Sequence, residues 1–494
     1  MPSSTPQPDL IIRDALLIDG SGQPGKRGDL AVSGDRITAM GDLAQTRASR
    51  EITAQGLALA PGFVDTHTHD DRALLSDPLM SCKISQGVTT VVTGNCGISL
   101  APLAITGYPP PPLDIIGREP QQFFPTFGAY LDALDRDPPA LNAVCQVGHS
   151  TLRVAAMDRL DRAASTSEVA TMRRTLEQAM RQGAIGLSTG LYYPPAQDAP
   201  TGEIVALTDA VRAQGGIHTT HMRDEASHLI DSVTETISIG KSSDVPVVIS
   251  HHKASGTPNH GMVETSLKLI AEARKSQRLG LDAYPYVASS TMLDPKRLSL
   301  ASKVIVTWSK SRPEFSGQPL DEVAKKLNCS LEEAATQLQP AGAIYFMMSE
   351  DDVRRVLKFP HTMIGSDGLP HDEHPHPRLW GTFPRVLGHY ARDVKLFALE
   401  EAVRRMTALS AAQFGLTDRG VLRPGAYADL VLFDPATIAD AATFEMPKTP
   451  AKGIVEVFVN GRSVWRDGHA TGSRPGRALR LQQLGEMGGG MAAG

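Results

Sequence analysis

The stretch GFVDTHTH at residues 62–69 decides the fold of this 494-residue chain, because it joins a short apolar run to a pair of histidines. Residues 62–66 are typical of a buried strand, and His67 and His69 follow at its end. Side chains at positions i and i+2 of an extended segment point to the same side, so both imidazoles can face one ion. The stretch therefore predicts a strand whose carboxyl end carries metal ligands.

Seven more strand-like runs follow at the spacing of strand–helix units, and amphipathic segments such as 167–182 and 263–276 lie between them. The runs are residues 89–93, 143–147, 184–188, 216–220, 246–250, 280–283 and 362–366. Eight such units predict an α/β fold of the (β/α)8 TIM-like barrel type. A barrel of this type takes about 250 residues, so the chain has room for further structure.

Both ends of the chain carry short strand patterns, at residues 10–18, 29–33, 36–40, 428–433 and 455–459. The turn Asn460-Gly461 after the last of these is a strong hairpin signal. We expect residues 1–61 and 415–480 to form one small β-sandwich or β-barrel domain, with the hydrolase barrel at 62–414. Residues 481–494 end in GEMGGGMAAG and are predicted to be a flexible tail.

The segment between the seventh and eighth runs is too long for a simple strand–helix connection. It contains Pro-rich turns and a predicted helix pair, whose second helix starts with a capping box from Ser330 to Glu333. An insertion of this kind on the catalytic side of a barrel is predicted to be a lid. We assign the lid to residues 287–349.

Residue types that bind metals follow the ends of several strands. The candidate ligands are His67, His69, Cys96, His221, His251 and Asp367. A lone histidine or cysteine at such a place is usually structural. The coincidence of these positions with strand ends, where a barrel gathers its active site, predicts a metal centre.

The ligand types indicate which metal and which chemistry to expect. Imidazoles, a thiolate and a carboxylate favour zinc, which lowers the pKa of bound water to roughly 7. Asp367, flanked closely by Gly365 and Gly368, is expected to accept the proton of that water and pass it to a leaving group. The sequence therefore predicts a metal-dependent hydrolase.

Composition excludes several other classes of function. A net charge of −5 provides no basic surface for nucleic acid, and no apolar run approaches the roughly 18 residues that span a bilayer. The start MPSSTPQPDL lacks the features of a signal peptide, and the four cysteines show no disulfide spacing. We expect a cytoplasmic protein with a small-molecule substrate and neither a membrane nor a nucleic-acid partner; the sequence leaves the oligomeric state open.

Several motifs resemble those of the amidohydrolase superfamily. PGFVDTHTHDD at 61–71 resembles its first metal motif, and RGVLRPGAYADLVLFDP at 419–435 resembles its C-terminal signature. Further motifs are similar to those of the D-aminoacylases, which are N-acyl-D-amino-acid deacylases. These are TGNCG (93–97), STGLYYPP (188–195), THMRDE (220–225), ISHHK (249–253) and IGSDGLPHDEHPHPRLWGTFPRVLGHY (364–390).

The resemblance implies a barrel, a β domain built from both termini, a lid, and hydrolysis of N-acyl-D-amino acids to a carboxylate and a free D-amino acid. It implies that zinc is held tightly by Cys96, His221 and His251. It also implies a second, weaker metal position at His67, His69 and Asp367, with Asp367 as the catalytic acid and base.

The carboxylate of such a substrate requires cations and hydrogen-bond donors in the site. Lys253 and Arg378 are the candidate cations, and Tyr192, Tyr284 and His149 are candidate contacts, since each follows a predicted strand or a ligand.

For other polar residues near the ligands, the sequence favours a direct part in catalysis or binding less. Arg223, close to His221, is as easily structural as functional. The cluster at His371, His374 and His376 is interpreted as a Pro-braced loop that positions Arg378, and His252 should point away from the ion.

Substrate selectivity is the least determined part of the prediction. The D configuration rests wholly on the resemblance, and the stretch 293–318 resembles relatives that prefer neutral, apolar side chains. An N-acyl-D-aspartate or N-acyl-D-glutamate deacylase is the first alternative. A hydantoinase-type cyclic amidohydrolase is a second, although those enzymes carry a modified lysine where this chain has Ser188-Thr189. A non-enzymatic scaffold is a third, disfavoured because all the ligands are present.

Overall fold

The computed structural model describes residues 7–488. Its strands are β1 (Leu10–Leu17), β2 (Lys26–Ser33), β3 (Arg36–Gly41), β4 (Arg50–Thr53), β5 (Ala58–Pro61), β6 (Phe63–Asp65), β7 (Val88–Thr93), β8 (Asn142–Cys145), β9 (Val147–Gly148), β10 (Gly186–Gly190), β11 (Ile217–His221), β12 (Val247–Ile249), β13 (Leu279–Ala283), β14 (Ala288–Met292), β15 (Lys303–Ser309), β16 (Ala341–Phe346), β17 (Thr362–Ile364), β18 (Leu430–Phe433), β19 (Ile454–Val459), β20 (Arg462–Arg466) and β21 (His469–Ala470).

The α-helices alternate with the central strands. They are α1 (Ala73–Ser76), α2 (Ser81–Ile84), α3 (Phe127–Arg136), α4 (His149–Ala156), α5 (Thr166–Arg181), α6 (Pro194–Gln197), α7 (Thr201–Ala213), α8 (Leu229–Ser243), α9 (Met262–Ala273), α10 (Leu320–Leu327), α11 (Leu331–Gln337), α12 (Glu350–Lys358), α13 (Arg378–Arg385), α14 (Leu399–Met406) and α15 (Ala408–Gln413). A π-helical segment, Val386–Asp393, continues α13. None of the helices within residues 7–488 has the length and apolarity needed to cross a bilayer.

The predicted α/β class is confirmed, and every predicted run overlaps a strand of a parallel barrel. Strands β6, β7 and β8 pair in one parallel group, and β9 to β13 pair onward to β17 in another. β8 and β9 are consecutive parts of the third barrel strand. The ring closes between the eighth and first strands, where the Asp367 backbone N–H donates to the His67 carbonyl at 2.8 Å.

The interior of the barrel is filled by apolar side chains from its strands. This cluster contains Val64, Val92, Val144, Ile185, Ile217, Val248 and Met363, and Phe414, Leu416 and Met487 join it. Because apolar residues fill the interior, polar side chains that follow the strands' carboxyl ends are available for a site.

Strands from both ends of the described chain share a second, nine-stranded sheet. Its order is β21, β20, β19, β18, β5, β1, β2, β3, with β4 also paired to β1. The parallel contact of β1 with β5 and the antiparallel contact of β5 with β18 join the N-terminal and C-terminal segments.

The end of the described chain differs from the predicted flexible tail. Met487 is 1% exposed, and the backbone N–H groups of Gly485 and Gly488 donate to Gly415 and Gln413. Burial of the Met487 side chain against the barrel cluster stabilises residues 481–488. Residues 489–494 of that predicted tail lie outside the described part.

The segment between β13 and β17 folds around its own apolar cluster. β14, β16 and β15 form an antiparallel sheet, and α10 and α11 are the predicted helix pair. The predicted capping box is confirmed, since the Ser330 hydroxyl accepts from the Glu333 N–H and the Glu333 carboxylate accepts from the Ser330 N–H. The sheet was not predicted, because β15 and β16 are buried on both faces and lack alternation.

Candidate active site

The six predicted ligands converge at the carboxyl ends of the barrel strands, and all are buried. They form two groups that share Cys96. One group is His67, His69, Cys96 and Asp367, and the other is Cys96, His221 and His251; within each group the ligating atoms lie within 4.8 Å of one another. The sharing of Cys96 was not predicted, since the resemblance assigned it to one position alone.

The first group is tightly packed around two contacts. The Cys96 sulfur lies 3.2 Å from His67 Nε2, and His69 Nε2 lies 3.2 Å from Asp367 Oδ1. His67 Nε2 is 3.5 Å from the same carboxylate oxygen. This thiol, two imidazoles and a carboxylate are the donor set that first-row divalent metals accept.

The second group contains an imidazole whose ring nitrogens make no hydrogen bond to the described residues, although Glu225 lies 3.9 Å away. Cys96 Sγ lies 3.4 Å from His251 Nε2, while both ring nitrogens of buried His221 lack a hydrogen-bond partner among the described residues. A buried polar atom without a partner is costly. A metal ion held by Cys96, His221 and His251 would satisfy it, so the residues present fit such an ion.

The surroundings of Cys96 favour the thiolate form of its side chain. Burial would raise the pKa of the Cys96 thiol, but His67 and His251 outweigh burial and hold that pKa well below its usual value. The thiolate is the metal-ligating form of cysteine.

Three of the ligands lie in left-handed backbone conformations. The φ angles are 53° at Cys96, 36° at His251 and 50° at Asp367. For residues other than glycine each such conformation costs roughly 1–3 kcal/mol and is found mainly at functional sites. Close packing helps to fix this geometry, since a Cβ at Gly365 would lie 2.6 Å from the His67 Cβ.

Two carboxylates orient the histidines from behind. Asp282 Oδ1 lies 3.5 Å from His67 Nδ1 and accepts the backbone N–H of His251 at 2.8 Å. Glu225 Oε1 lies 2.9 Å from His251 Nδ1. Such partners fix the tautomer and orientation of ligating imidazoles. Neither was predicted, although Glu225 belongs to the quoted motif THMRDE and Asp282 to the seventh run.

Arg378 is fully buried and faces the candidate acid and base. Its Nη2 lies 3.0 Å from Asp367 Oδ2 and donates to the Ser290 carbonyl at 3.0 Å, whereas Nε and Nη1 have no partner within residues 7–488. Burial would raise the pKa of Asp367, but Arg378 and His67 outweigh it and hold that pKa well below its usual value.

A cavity opens onto both ligand groups. Lys253 and Tyr284, two of the predicted substrate contacts, line it. The Lys253 ammonium also contacts Glu225 Oε1 at 2.8 Å, and the Tyr284 hydroxyl has no partner among the described residues. Tyr284 lies between the two predicted cations, with Lys253 Nζ 5.7 Å and Arg378 Cζ 4.5 Å from its ring centre.

The structure places the other predicted contacts away from the cavity wall. The Tyr192 hydroxyl donates to Asp294 at 3.3 Å, and Tyr193 lines the cavity instead. His149 Nε2 lies 2.9 Å from a Glu203 carboxylate oxygen, and His149 is not among the residues that line this cavity.

The remaining polar residues near the ligands have structural partners. Arg223 pairs with Glu235 at 3.0 Å, and His252 Nε2 lies 2.8 Å from Ser266 Oγ, on the side away from the ligands. His376 Nδ1 accepts the Arg378 N–H at 2.9 Å. Within residues 7–488, the loop histidines belong to neither candidate metal group.

Arg297 is a cavity residue that sequence reasoning missed. It lies in the insertion, is 7% exposed, and has no carboxylate partner in the described chain. Its guanidinium stacks over the rings of Tyr192 and Tyr345, at 4.8 and 5.3 Å. A buried arginine without a carboxylate is equipped to accept an anion.

Comparison with known proteins identifies the family of the chain. The amidohydrolase family matches residues 50–295 and 330–465. The chain is 57% identical to a D-aminoacylase of Alcaligenes xylosoxydans xylosoxydans, over 97% of this chain and 99% of the relative. A solved D-aminoacylase, described with a binuclear metal centre, superposes with a TM-score of 0.94 at 54% identity, covering 96% of this chain and all of that one. An N-acyl-D-glutamate deacylase from Bordetella bronchiseptica was solved with zinc and a phosphonate inhibitor. It superposes with a TM-score of 0.93 at 43% identity, covering 96% of this chain and 100% of that one. The chain therefore belongs to the amidohydrolase family.

Proposed function

We propose that the protein hydrolyses the amide bond of N-acyl-D-amino acids and releases a carboxylate and a free D-amino acid. The observation that carries the proposal is Asp367, whose carboxylate is held between His69 and Arg378 beside the two ligand groups. The similarity to a D-aminoacylase over nearly the whole chain supports the D configuration.

Zinc is the proposed metal, held tightly by Cys96, His221 and His251, with a weaker position at His67, His69 and Asp367. When bound, zinc supplies a Lewis acid that polarises the amide carbonyl and lowers the pKa of water. The mixed donor set and the unpartnered His221 support this assignment. The related N-acyl-D-glutamate deacylase structure contains zinc.

Asp367 is the proposed general base and then general acid. It accepts one proton of the attacking water while the hydroxyl group adds to the acyl carbon, and it then donates that proton to the departing nitrogen. Arg378 holds Oδ2 of this carboxylate at 3.0 Å, and His69 lies 3.2 Å from Oδ1, so both oxygens are fixed in position.

The carboxylate of the substrate is proposed to bind Lys253, Tyr284 and Arg378. Support comes from the Tyr284 hydroxyl and from Nε and Nη1 of Arg378, which have no hydrogen-bond partner within residues 7–488 and lie near Lys253. A carboxylate there would provide acceptors for these buried donors.

The side chain of the substrate is proposed to be neutral and apolar, because four apolar residues line the cavity: Ile98, Pro112, Ile115 and Leu369. One observation favours a second candidate. The unpaired Arg297 would suit an acidic side chain, so an N-acyl-D-aspartate or N-acyl-D-glutamate deacylase is the alternative.

A panel of N-acetyl-D-methionine, N-acetyl-D-aspartate and N-acetyl-D-glutamate separates the two candidates, assayed with the wild type and Arg297→Leu. The exposed Arg312, which pairs with Glu314, provides the control Arg312→Leu. We expect the wild-type kcat/KM to be at least tenfold higher for N-acetyl-D-methionine than for the two acidic substrates. Arg297→Leu should change kcat/KM for the methionine derivative less than it changes kcat/KM for the acidic substrates. A wild-type preference for the acidic substrates that Arg297→Leu abolishes would establish the alternative. Zinc-loaded protein that hydrolyses none of them would refute both.

The architecture suggests how the parts divide the work. We propose that residues 62–414 form the catalytic unit, that 287–349 act as its lid, and that 1–61 with 415–480 act as a supporting β domain. The position of Arg297 and Ser290 in the insertion, at the cavity wall, supports the lid assignment. A cytoplasmic location is also proposed, supported by four free cysteines.

A further inference from the structure

A fully buried lysine lies behind the site and takes no part in the chemistry described above. Lys83 belongs to α2 and is 0% exposed. Its ammonium lies 2.7 Å from Ser366 Oγ, 2.8 Å from Asp65 Oδ2 and 3.3 Å from Asp70 Oδ2. Burying an ammonium costs several kcal/mol unless its partners are well placed. Burial lowers the pKa of Lys83, but Asp65 and Asp70 outweigh it and raise that pKa, so the group is charged.

The partners of Lys83 join the two strands that carry the first ligand group. Asp65 ends β6, just before His67, and Ser366 follows β17, just before Asp367. Asp65 Oδ1 also accepts the Ser366 backbone N–H at 2.8 Å. Lys83 and Asp65 together therefore hold the ends of the first and eighth barrel strands in register.

The Ser366 hydroxyl accepts two hydrogen bonds that fix the backbone around Asp367. It accepts from Lys83 Nζ at 2.7 Å and from the Gly368 backbone N–H at 3.2 Å. Between these anchors, Asp367 adopts its left-handed φ of 50° and donates its N–H to the His67 carbonyl. A strained residue keeps its conformation only when the surrounding contacts determine it, and these contacts do so here.

Lys83 makes no direct contact with the other ligand group. Within residues 7–488, none of the hydrogen bonds or ion pairs of Lys83 involves Cys96, His221 or His251. Lys83 also does not line the cavity, and its ammonium is taken up by Asp65, Asp70 and Ser366.

We propose that Lys83 is a positioning residue that, through Ser366, sets the orientation of Asp367 for proton donation and shapes the His67–His69–Asp367 metal position. The inference rests on the proposed role of Asp367 as the proton donor to the leaving nitrogen. It assigns to Lys83 an effect on kcat and on the weaker metal position, and none on substrate binding.

The kinetic test uses Ser366→Ala, which removes the link and leaves the Lys83–Asp65 pair, together with Lys83→Met. The control is Ser85→Ala, a buried serine directly after α2 whose hydroxyl has no partner among the described residues. Each variant is assayed on N-acetyl-D-methionine and on the matching ester, in which oxygen replaces the amide nitrogen. An ester leaving group depends less on protonation than an amine does.

We expect Ser366→Ala to lower kcat for the amide at least tenfold, with KM within twofold. The loss on the ester should be smaller, because the ester shares the base step but depends less on protonation of the leaving group. Lys83→Met should act in the same direction, and Ser85→Ala should match the wild type. Equal losses on amide and ester, or unchanged kcat in both variants, would overturn the inference. If Lys83→Met fails to fold, Ser366→Ala alone decides.

A metal titration separates this inference from the proposed function, because it needs no substrate. Protein that holds one equivalent of zinc is titrated with more zinc in a calorimeter. We expect Ser366→Ala to weaken the second equivalent at least tenfold and to leave the first unchanged. Unchanged binding of the second equivalent would contradict the inference. If the wild type hydrolyses no N-acyl-D-amino acid, the proposed function fails and the titration alone decides the role of Lys83.

Discussion

Asp367 combines three constraints in one residue: a left-handed backbone, a buried carboxylate and an arginine at 3.0 Å. The arginine and the imidazoles keep the carboxylate ionised, which is the state that a general base needs before reaction. The same carboxylate lies 3.2 Å from His69, so it is placed to act where a metal would be held.

The substitution Asp367→Asn tests this role directly. It preserves the size of the side chain and removes its capacity to take up a proton, so we expect kcat to fall by roughly 10²–10⁴, the usual contribution of acid–base catalysis. The measurement is steady-state turnover of N-acetyl-D-methionine, with zinc content determined in parallel. Near-normal turnover at a normal zinc content would show that another group transfers the proton.

How far individual residues could be predicted depended on whether they lie on regular strands. His67 and His69 were predictable because alternate residues of a strand share a face, and strand ends also located Cys96, His221, His251 and Asp367. The joint use of Cys96 depends on a turn with φ of 53°, which strand periodicity does not describe. Tyr193 lines the cavity and Tyr192 does not. This choice was not predictable either, because both residues lie in a loop, where strand periodicity does not apply.

At the level of elements, the insertion between β13 and β17 supplies part of the cavity wall. Its cavity-lining residues, Arg297 and Ser290 among them, lie on or next to a sheet that is buried on both faces. Without alternation, such strands resemble any other apolar run, so their contribution to the site was not predictable. The capping box at Ser330 was predictable, because its residue types and spacing are local.

The cap gives a test of how independently the insertion folds. Ser330→Ala removes the hydroxyl that accepts the Glu333 N–H, and loss of such a cap costs about 0.5–2 kcal/mol. We expect hydrogen exchange to accelerate at the amides of α11 and to stay unchanged in the barrel. Ser242→Ala, an exposed serine within α8, is the matched control. Equal acceleration across barrel and insertion would show that they open as one unit.

At the scale of the whole molecule, segments from both ends of the described chain share one sheet, and the C-terminal one also reaches the barrel cluster. β5 and β18 pair in the nine-stranded sheet, and Met487 packs against the barrel interior. The sequence indicated that the termini meet, because their strand patterns matched. The docking of residues 481–488 was not predictable, since a single methionine among glycines has no periodicity.

Removal of the metal should lower the stability of the whole fold. Ligand binding to the native state alone stabilises it, and an ion would also satisfy the unpartnered His221. We expect chelated protein to melt at a lower temperature in calorimetry and zinc to restore the original value. Cys96→Ser should stay at the lower value with zinc present, because Cys96 belongs to both groups. Cys145 is a buried cysteine outside both ligand groups, so Cys145→Ser is the control. If zinc restored the full melting temperature of Cys96→Ser, the shared role of Cys96 would be contradicted.

The most direct test of the central claim compares the two enantiomers of one substrate. Initial rates of hydrolysis of N-acetyl-D-methionine and N-acetyl-L-methionine are measured with the zinc-loaded protein. We expect release of D-methionine with kcat/KM at least a hundredfold above that for the L form, and loss of this activity on chelation. Equal rates for the two enantiomers, or hydrolysis that persists without metal, would contradict it.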